Sequence, residues 1–158
     1  MLEVRLLKDS DTSDFFAHRL EGLKQVASAF GASYDDEVAQ GPSRWEEILR
    51  KETPTNVILG AFLDGKLVGC IGVFRKTQQK TLHKGQIWGM YIAPRARGRG
   101  LGRELLVRAI DHARGWAGLQ FLDLTCEAEN RAALSLYESC GFKAWGREPS
   151  SLLIDGVA

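Results

Sequence analysis

Apolar positions along the chain alternate between helical and strand spacing, and the alternation predicts an ordered series of elements. Val4, Leu6 and Leu7 make a short first strand, followed by Asp9, Ser10, Asp11 and Ser13 as N-cap candidates. Phe16, Leu20, Leu23, Ala27 and Phe30 recur at helical spacing and predict one apolar face of a first helix, which Gly31 ends. Ser33 to Gly41 reads as an irregular acidic connection in which Asp35, Asp36 and Glu37 stand together. Its plain reading is a solvated loop; its sharper reading is an acidic lip over a site for a basic substrate. Ser43 then caps a second helix with Trp45, Ile48 and Leu49 as its buried stripe, and Pro54 stops it.

The middle of the chain changes to strand character. Val57 to Leu63 and Lys66 to Phe74 are β-rich runs, and Asp64-Gly65 between them predicts a two-residue type I′ hairpin. Thr77 to Lys84 is a polar, basic connection leading to a strand over Ile87 to Ile92, closed by Pro94. After a glycine-rich turn, Leu101, Leu105, Ala109, Ala113 and Trp116 form a helical stripe widened by Leu106 and Ile110. A strand over Phe121 to Cys126 follows, and the strand–helix–strand order places it parallel to the Ile87 strand. Asn130 caps a short last helix, Arg131 to Ser139, ended by Gly141; Phe142 to Arg147 and Ser151 to Ile154 are the final strand candidates.

Composition narrows the class of protein. With 158 residues, 44% apolar and 26% charged, the chain suits one soluble globular domain, 1–158. A net charge of +1 argues against nucleic-acid binding driven by bulk charge, although Arg95, Arg97, Arg99, Arg103 and Arg108 cluster locally. No apolar run approaches a membrane span, and acids come too early for a signal peptide. Cys70, Cys126 and Cys140 fit neither a disulfide framework nor a metal knuckle, which points to a reducing cytoplasm. His18, His83 and His112 lack metal-ligand spacing, so no metal is expected, and a cysteine nucleophile is not nominated by any motif.

The chemistry concentrates in Arg97-Gly98-Arg99-Gly100-Leu101-Gly102-Arg103, between a strand and a helix. Alternating glycines let the backbone take positive φ and approach a ligand closely. Successive amides with the first turn of a helix form an anion nest, suited to a pyrophosphate held by main chain. A Walker loop would need Gly-Lys-Ser/Thr, which is absent. A dinucleotide fingerprint would need glycine where Arg103 stands, although Asp123 lies at the distance of a ribose-binding acid.

The remaining pattern, Arg97-x-x-Gly100-x-Gly102, resembles the pyrophosphate loop of the GCN5-related N-acetyltransferase family. A second signature, Asn130-x-x-Ala133-x-x-x-Tyr137-Glu138-x-x-Gly141-Phe142, carries the same resemblance. It implies an α+β three-layer fold: a mixed, mostly antiparallel sheet with a central parallel strand pair and helices on both faces. It implies acetyl-CoA as cosubstrate in the gap between the parallel strands, against Met90, Tyr91 and Ile92. The loop from Arg97 through Gly98, Arg99, Gly100, Leu101 and Gly102 to Arg103 would hold the pyrophosphate, with Asn130 and Tyr137 bordering the gap.

The implied reaction is acetyl transfer to a primary amine of a small molecule or a peptide terminus, with Tyr137 as proton donor to the leaving thiolate. Glu127 and Glu129 lie near the parallel strand without either being singled out as a base. The resembling fold closes with a strand that returns to the sheet, whereas here Asp155-Gly156 leads only to Val157 and Ala158. Three alternatives follow: the chain is shortened, a second copy supplies the edge as a homodimer, or the edge is left open, which natural sheets usually avoid. Two other classes stay open: a non-catalytic acyl-CoA-binding module, which would bind without releasing thiol, and a nucleic-acid adaptor, which would lose affinity steeply with salt.

Overall fold

The computed structural model describes residues 1–158. Five strands form one sheet in the order β1 (Leu2–Leu6), β2 (Asn56–Leu63), β3 (Lys66–Arg75), β4 (Lys84–Ile92) and β5 (Phe121–Asp123). The first three junctions are antiparallel, and β4 pairs with β5 in parallel. Helices α1 (Thr12–Gln25), α2 (Tyr34–Gln40) and α3 (Ser43–Lys51) follow β1; α4 (Leu101–Arg114) follows β4; and α5 (Arg131–Ser139) follows β5. This is the expected α+β arrangement. Since nothing pairs beyond β5, the parallel pair lies at the end of the sheet and not at its centre as expected.

The sheet separates two packing regions. On one face, Val4, Leu59, Ile71, Val73 and Ile87 pack against Leu105, Leu106, Ala109 and Ala113 of α4, with Leu136 and Tyr137 of α5 alongside. The whole predicted α4 stripe is buried, including Leu101 and Trp116. On the other face, Phe15 of α1 and Trp45 and Leu49 of α3 cover Ile58, Phe62 and Cys70. The hairpin between β2 and β3 has positive φ at both Asp64 (50°) and Gly65 (77°), as a type I′ turn requires. No helix is long and apolar enough to cross a membrane.

Five sequence expectations are corrected. The buried face of α1 is Thr12, Phe15, His18, Arg19, Gly22 and Leu23; of the expected stripe Leu23 is buried there, while Phe16 and Leu20 lie half-buried at its edge. Helix α1 also ends at Gln25, so Ala27 and Phe30 lie beyond it. Residues 34–40 form α2, capped by the Ser33 hydroxyl accepting from the Asp36 amide (3.1 Å). Asp35, Asp36 and Glu37 fill its first turn, where the helix dipole favours acids. Strand β5 stops at Asp123 instead of Cys126, and neither 142–147 nor 151–154 forms a strand beyond an isolated Ile154–Val157 bridge.

Candidate active site

Strands β4 and β5 pair only from Lys84/Phe121 to Gln86/Asp123, after which β4 continues alone to Ile92. The sheet therefore opens into a gap along Ile87–Ile92. Within it β4 carries a bulge: Trp88 pairs with Gly72 and Tyr91 with Cys70, so Gly89 and Met90 together face Ile71. Gly89 takes φ 62°, a conformation that needs glycine. A glycine inside a strand run is the signal that could have revealed this bulge from sequence.

Past the bulge, the Ala93 amide donates to the Val68 carbonyl of β3 (2.8 Å), so by alternation Ile92 turns its backbone toward the gap. Arg97 Nε donates to the Ile92 carbonyl (3.0 Å), and its guanidinium sits 5.9 Å from the Tyr91 ring. Arg97 thus ties the glycine loop to the strand. Gly98 and Gly100 have φ of 73° and 75°, and a Cβ on either would meet nothing within 4 Å. Gly102 lies inside α4, where a Cβ would come 3.2 Å from Met90 Cε and 3.4 Å from Leu136 Cδ2. Two of the three glycines therefore serve backbone conformation, while Gly102 serves close packing of α4 against β4 and α5.

The amides from Gly98 to Arg103 donate to no backbone carbonyl, whereas Glu104 begins the helical ladder by donating to Gly100 (3.1 Å). Unmade donors at a helix N-terminus beside an open gap fit a pyrophosphate. Arg99 is exposed, and Arg103 Nη1 donates to Ser139 Oγ (3.1 Å), joining α4 to α5. Leu101 is buried and contributes its amide and its packing.

Asn130 caps α5, its side-chain oxygen accepting from the Ala133 amide (3.1 Å). Two turns on, the half-buried Tyr137 sits edge-on to Phe142 and places its hydroxyl 4.0 Å from Met90 Sδ. Thioether sulfur is a weak acceptor, so the phenol proton remains available. Burial, with a smaller contribution from nearby Cys126, pushes the Tyr137 pKa up to about 12. Glu127 accepts from Ser28 Oγ (2.7 Å), linking the segment after α1 to the segment before α5.

The α1 side of the bulge holds Arg19, which the sequence did not nominate, beside Glu37 from the acidic run. Arg19 is 7% exposed and Glu37 2% exposed. Arg19 Nε lies 3.0 Å from Glu37 Oε2, yet Nε has no hydrogen-bond partner, so this contact is ionic and poorly directed. Trp45 Nε1 donates to Glu37 Oε1. Asp35 and Asp36 remain exposed, but Glu37 is withdrawn from the acidic lip that the sequence suggested. His18 Nε2 lies 3.3 Å from the Tyr91 carbonyl, and burial pushes its pKa below the ordinary histidine range. Cys70, 3.5 Å from the Gly89 carbonyl, is pushed up to about 12 by burial and is no nucleophile at neutral pH. Arg19 stands four residues after Phe15 and four before Leu23, and an arginine at apolar helical spacing was the available sign.

A model of the acetyltransferase (GNAT) family matches residues 20–142. Spermidine N(1)-acetyltransferase of Vibrio cholerae is 26% identical over 155 residues, 98% of this chain and 86% of that protein. N-alpha-acetyltransferase RimI of Mycobacterium tuberculosis is 36% identical over 94 residues, 60% of this chain and 56% of that protein. The structure of an acetyltransferase of the GNAT family from Streptococcus pneumoniae superposes with a TM-score of 0.85 at 26% identity, covering 98% of this chain and 92% of that one. With a splayed parallel strand pair, a bulged β4 and a loop of free amides leading into α4, the chain belongs to the GNAT family of acetyl-CoA-dependent N-acetyltransferases.

Proposed function

We propose that the chain acetylates the primary amine of a small molecule or a peptide terminus, binding acetyl-CoA along the gap beside β4. The run of unpaired amides from Gly98 to Arg103 is the observation that carries this reading. Those amides, with the positive end of α4, bind the pyrophosphate. Met90, Tyr91 and Ile92 line the path of the pantetheine, with Ile92 offering backbone and Met90 offering side-chain surface. Asn130 fixes the start of α5 and with it the position of Tyr137. Acetyl-CoA supplies an acetyl group activated as a thioester.

Tyr137 acts on the leaving sulfur. A phenol at about 12 stays protonated across the neutral range. It is nevertheless a weaker acid than an ordinary thiol near 8.5, so complete transfer to a free thiolate runs uphill. Its main contribution is a hydrogen bond that strengthens as negative charge develops on sulfur. The attacking amine becomes an ammonium and must shed a proton to water or to a neighbouring base.

The test combines thermal melts with an amine panel read by free thiol. Saturating acetyl-CoA should raise the melting temperature, and at least one amine should drive thiol release above the rate without acceptor. Acetyl-CoA binding without amine-dependent thiol release would instead favour a binding module.

A further inference from the structure

We propose that Arg19 is an acceptor-positioning residue that receives a carboxylate next to the reacting amine, making amino acids and similar small amino carboxylates the acceptors. The proposal rests on acetyl transfer at the β4 bulge as read above and names the substrate class for that site.

Arg19 stands at the bulge itself. Its Nη1 lies 3.7 Å from where a Cβ would project at Gly89, so the missing side chain leaves the guanidinium facing the strand. The cation is held by ring faces, with centroids at 4.8 Å for Trp45, 5.6 Å for Phe30 and 5.7 Å for Trp88. Trp45 and Trp88 stack at 5.4 Å and keep that enclosure rigid. Cation–π contact fixes the guanidinium plane without consuming its N–H donors.

Its pairing with Glu37 does not use those donors well. The contact is made through Nε, which makes no hydrogen bond, and no other acid lies within ion-pair distance of Arg19. Glu37 has other partners: the Trp45 indole, and Arg44 Nη2 at 4.0 Å. Two guanidinium groups therefore face one carboxylate. The next acid, Glu21, is engaged by the Tyr91 hydroxyl (3.2 Å) and by Arg95 (3.4 Å). The acceptor side is locally positive, the reverse of what the acidic run in the sequence suggested. A planar fork with unused donors matches a carboxylate bidentately, and a buried positive site disfavours polyamines.

Steady-state thiol release with acetyl-CoA should be measured for leucine, leucinamide, isopentylamine and spermidine. Leucine should exceed isopentylamine and leucinamide by about 10-fold to 100-fold in kcat/KM, the range of a charge-assisted hydrogen bond. Arg19→Lys keeps a cation opposite Glu37 but removes the fork, so the acid-to-amine ratio should fall at least about 10-fold, through KM of leucine. Equal or better use of isopentylamine or spermidine by the unaltered enzyme would overturn the proposal and leave N-acetylation intact. So would an Arg19→Lys enzyme that loses activity equally on all acceptors, the mark of a structural residue. Thiol release with none of the four, in protein whose melting temperature still rises with acetyl-CoA, would overturn the amino-carboxylate class and leave acetyl transfer to a peptide terminus standing.

Discussion

The two faces of the sheet, to which we assign the cosubstrate and the acceptor, are built by opposite means. On the α4 face, main-chain amides and glycines offer a ligand what any sequence of the right backbone shape could offer, over a core that is wholly apolar. On the α1 face, side chains do the work, and they are polar and buried: Arg19, Glu37 and His18. The difference matches the two ligands. A cosubstrate of fixed structure can be met by a fixed loop, whereas the acceptor is recognised by side-chain chemistry that fold alone does not choose.

If that contrast holds, damage on the two sides should differ in kind. The largest effect belongs to Glu37→Ala, which leaves Arg19 buried without its acid and should cost about 3–5 kcal/mol of stability. Acetyl-CoA affinity of the remaining folded protein should change little. Denaturant unfolding and calorimetric titration measure the two quantities, and a matching loss of cosubstrate affinity would break the separation between the faces.

Tyr137→Phe comes next. Removing the hydroxyl while keeping the ring should lower kcat by about 10²-fold to 10³-fold, or roughly 2.7–4 kcal/mol, as expected for loss of a donor to developing charge. Melting temperature should be little altered, since the hydroxyl's only contact is the weak one to Met90. The pH profile sharpens the point. The protonated phenol is the active form and titrates at about 12, so Tyr137 should add no alkaline limb to kcat below about pH 10. A limb near pH 8–9 that disappears in Tyr137→Phe would contradict the raised value.

Gly100→Asp should be narrower still. The position is open, and aspartate tolerates positive φ better than most residues, so folding should survive. A carboxylate in the nest should abolish the stabilisation of about 2.7 kcal/mol that acetyl-CoA gives at 100 times its dissociation constant. An undiminished melting shift would remove the loop from the site.

The smallest effect tests a pair away from both ligands. Arg5 donates to both oxygens of Asp11 (2.7 and 2.8 Å) and holds its carboxyl below the ordinary range, with a further bond from the Lys8 amide. A depressed carboxyl stabilises the fold above its unfolded pKa near 4, and that contribution is lost as pH falls through the lower folded value. Asp11→Asn should therefore cost about 1 kcal/mol at pH 7, with the difference shrinking toward pH 3. A constant difference across that range would assign the effect to packing.

The sequence by itself determined the element order, the Asp64-Gly65 hairpin, the α4 stripe, the glycine loop and the Asn130 cap. Each depends on contacts among residues a few positions apart, or on a backbone angle that one residue type permits. Tertiary structure decided what local pattern leaves degenerate. A helix advances about 100° per residue, so a stripe centred on Phe16, Leu20 and Leu23 turns His18 outward on paper and leaves Arg19 on its flank. Packing against Trp45, Phe30 and Trp88 turns Arg19 in, and the Tyr91 ring receives His18. The acids of α2 likewise look alike in sequence, and it is the Trp45 indole and the Arg19 guanidinium, brought in from α3 and α1, that bury Glu37 and leave Asp35 and Asp36 in water.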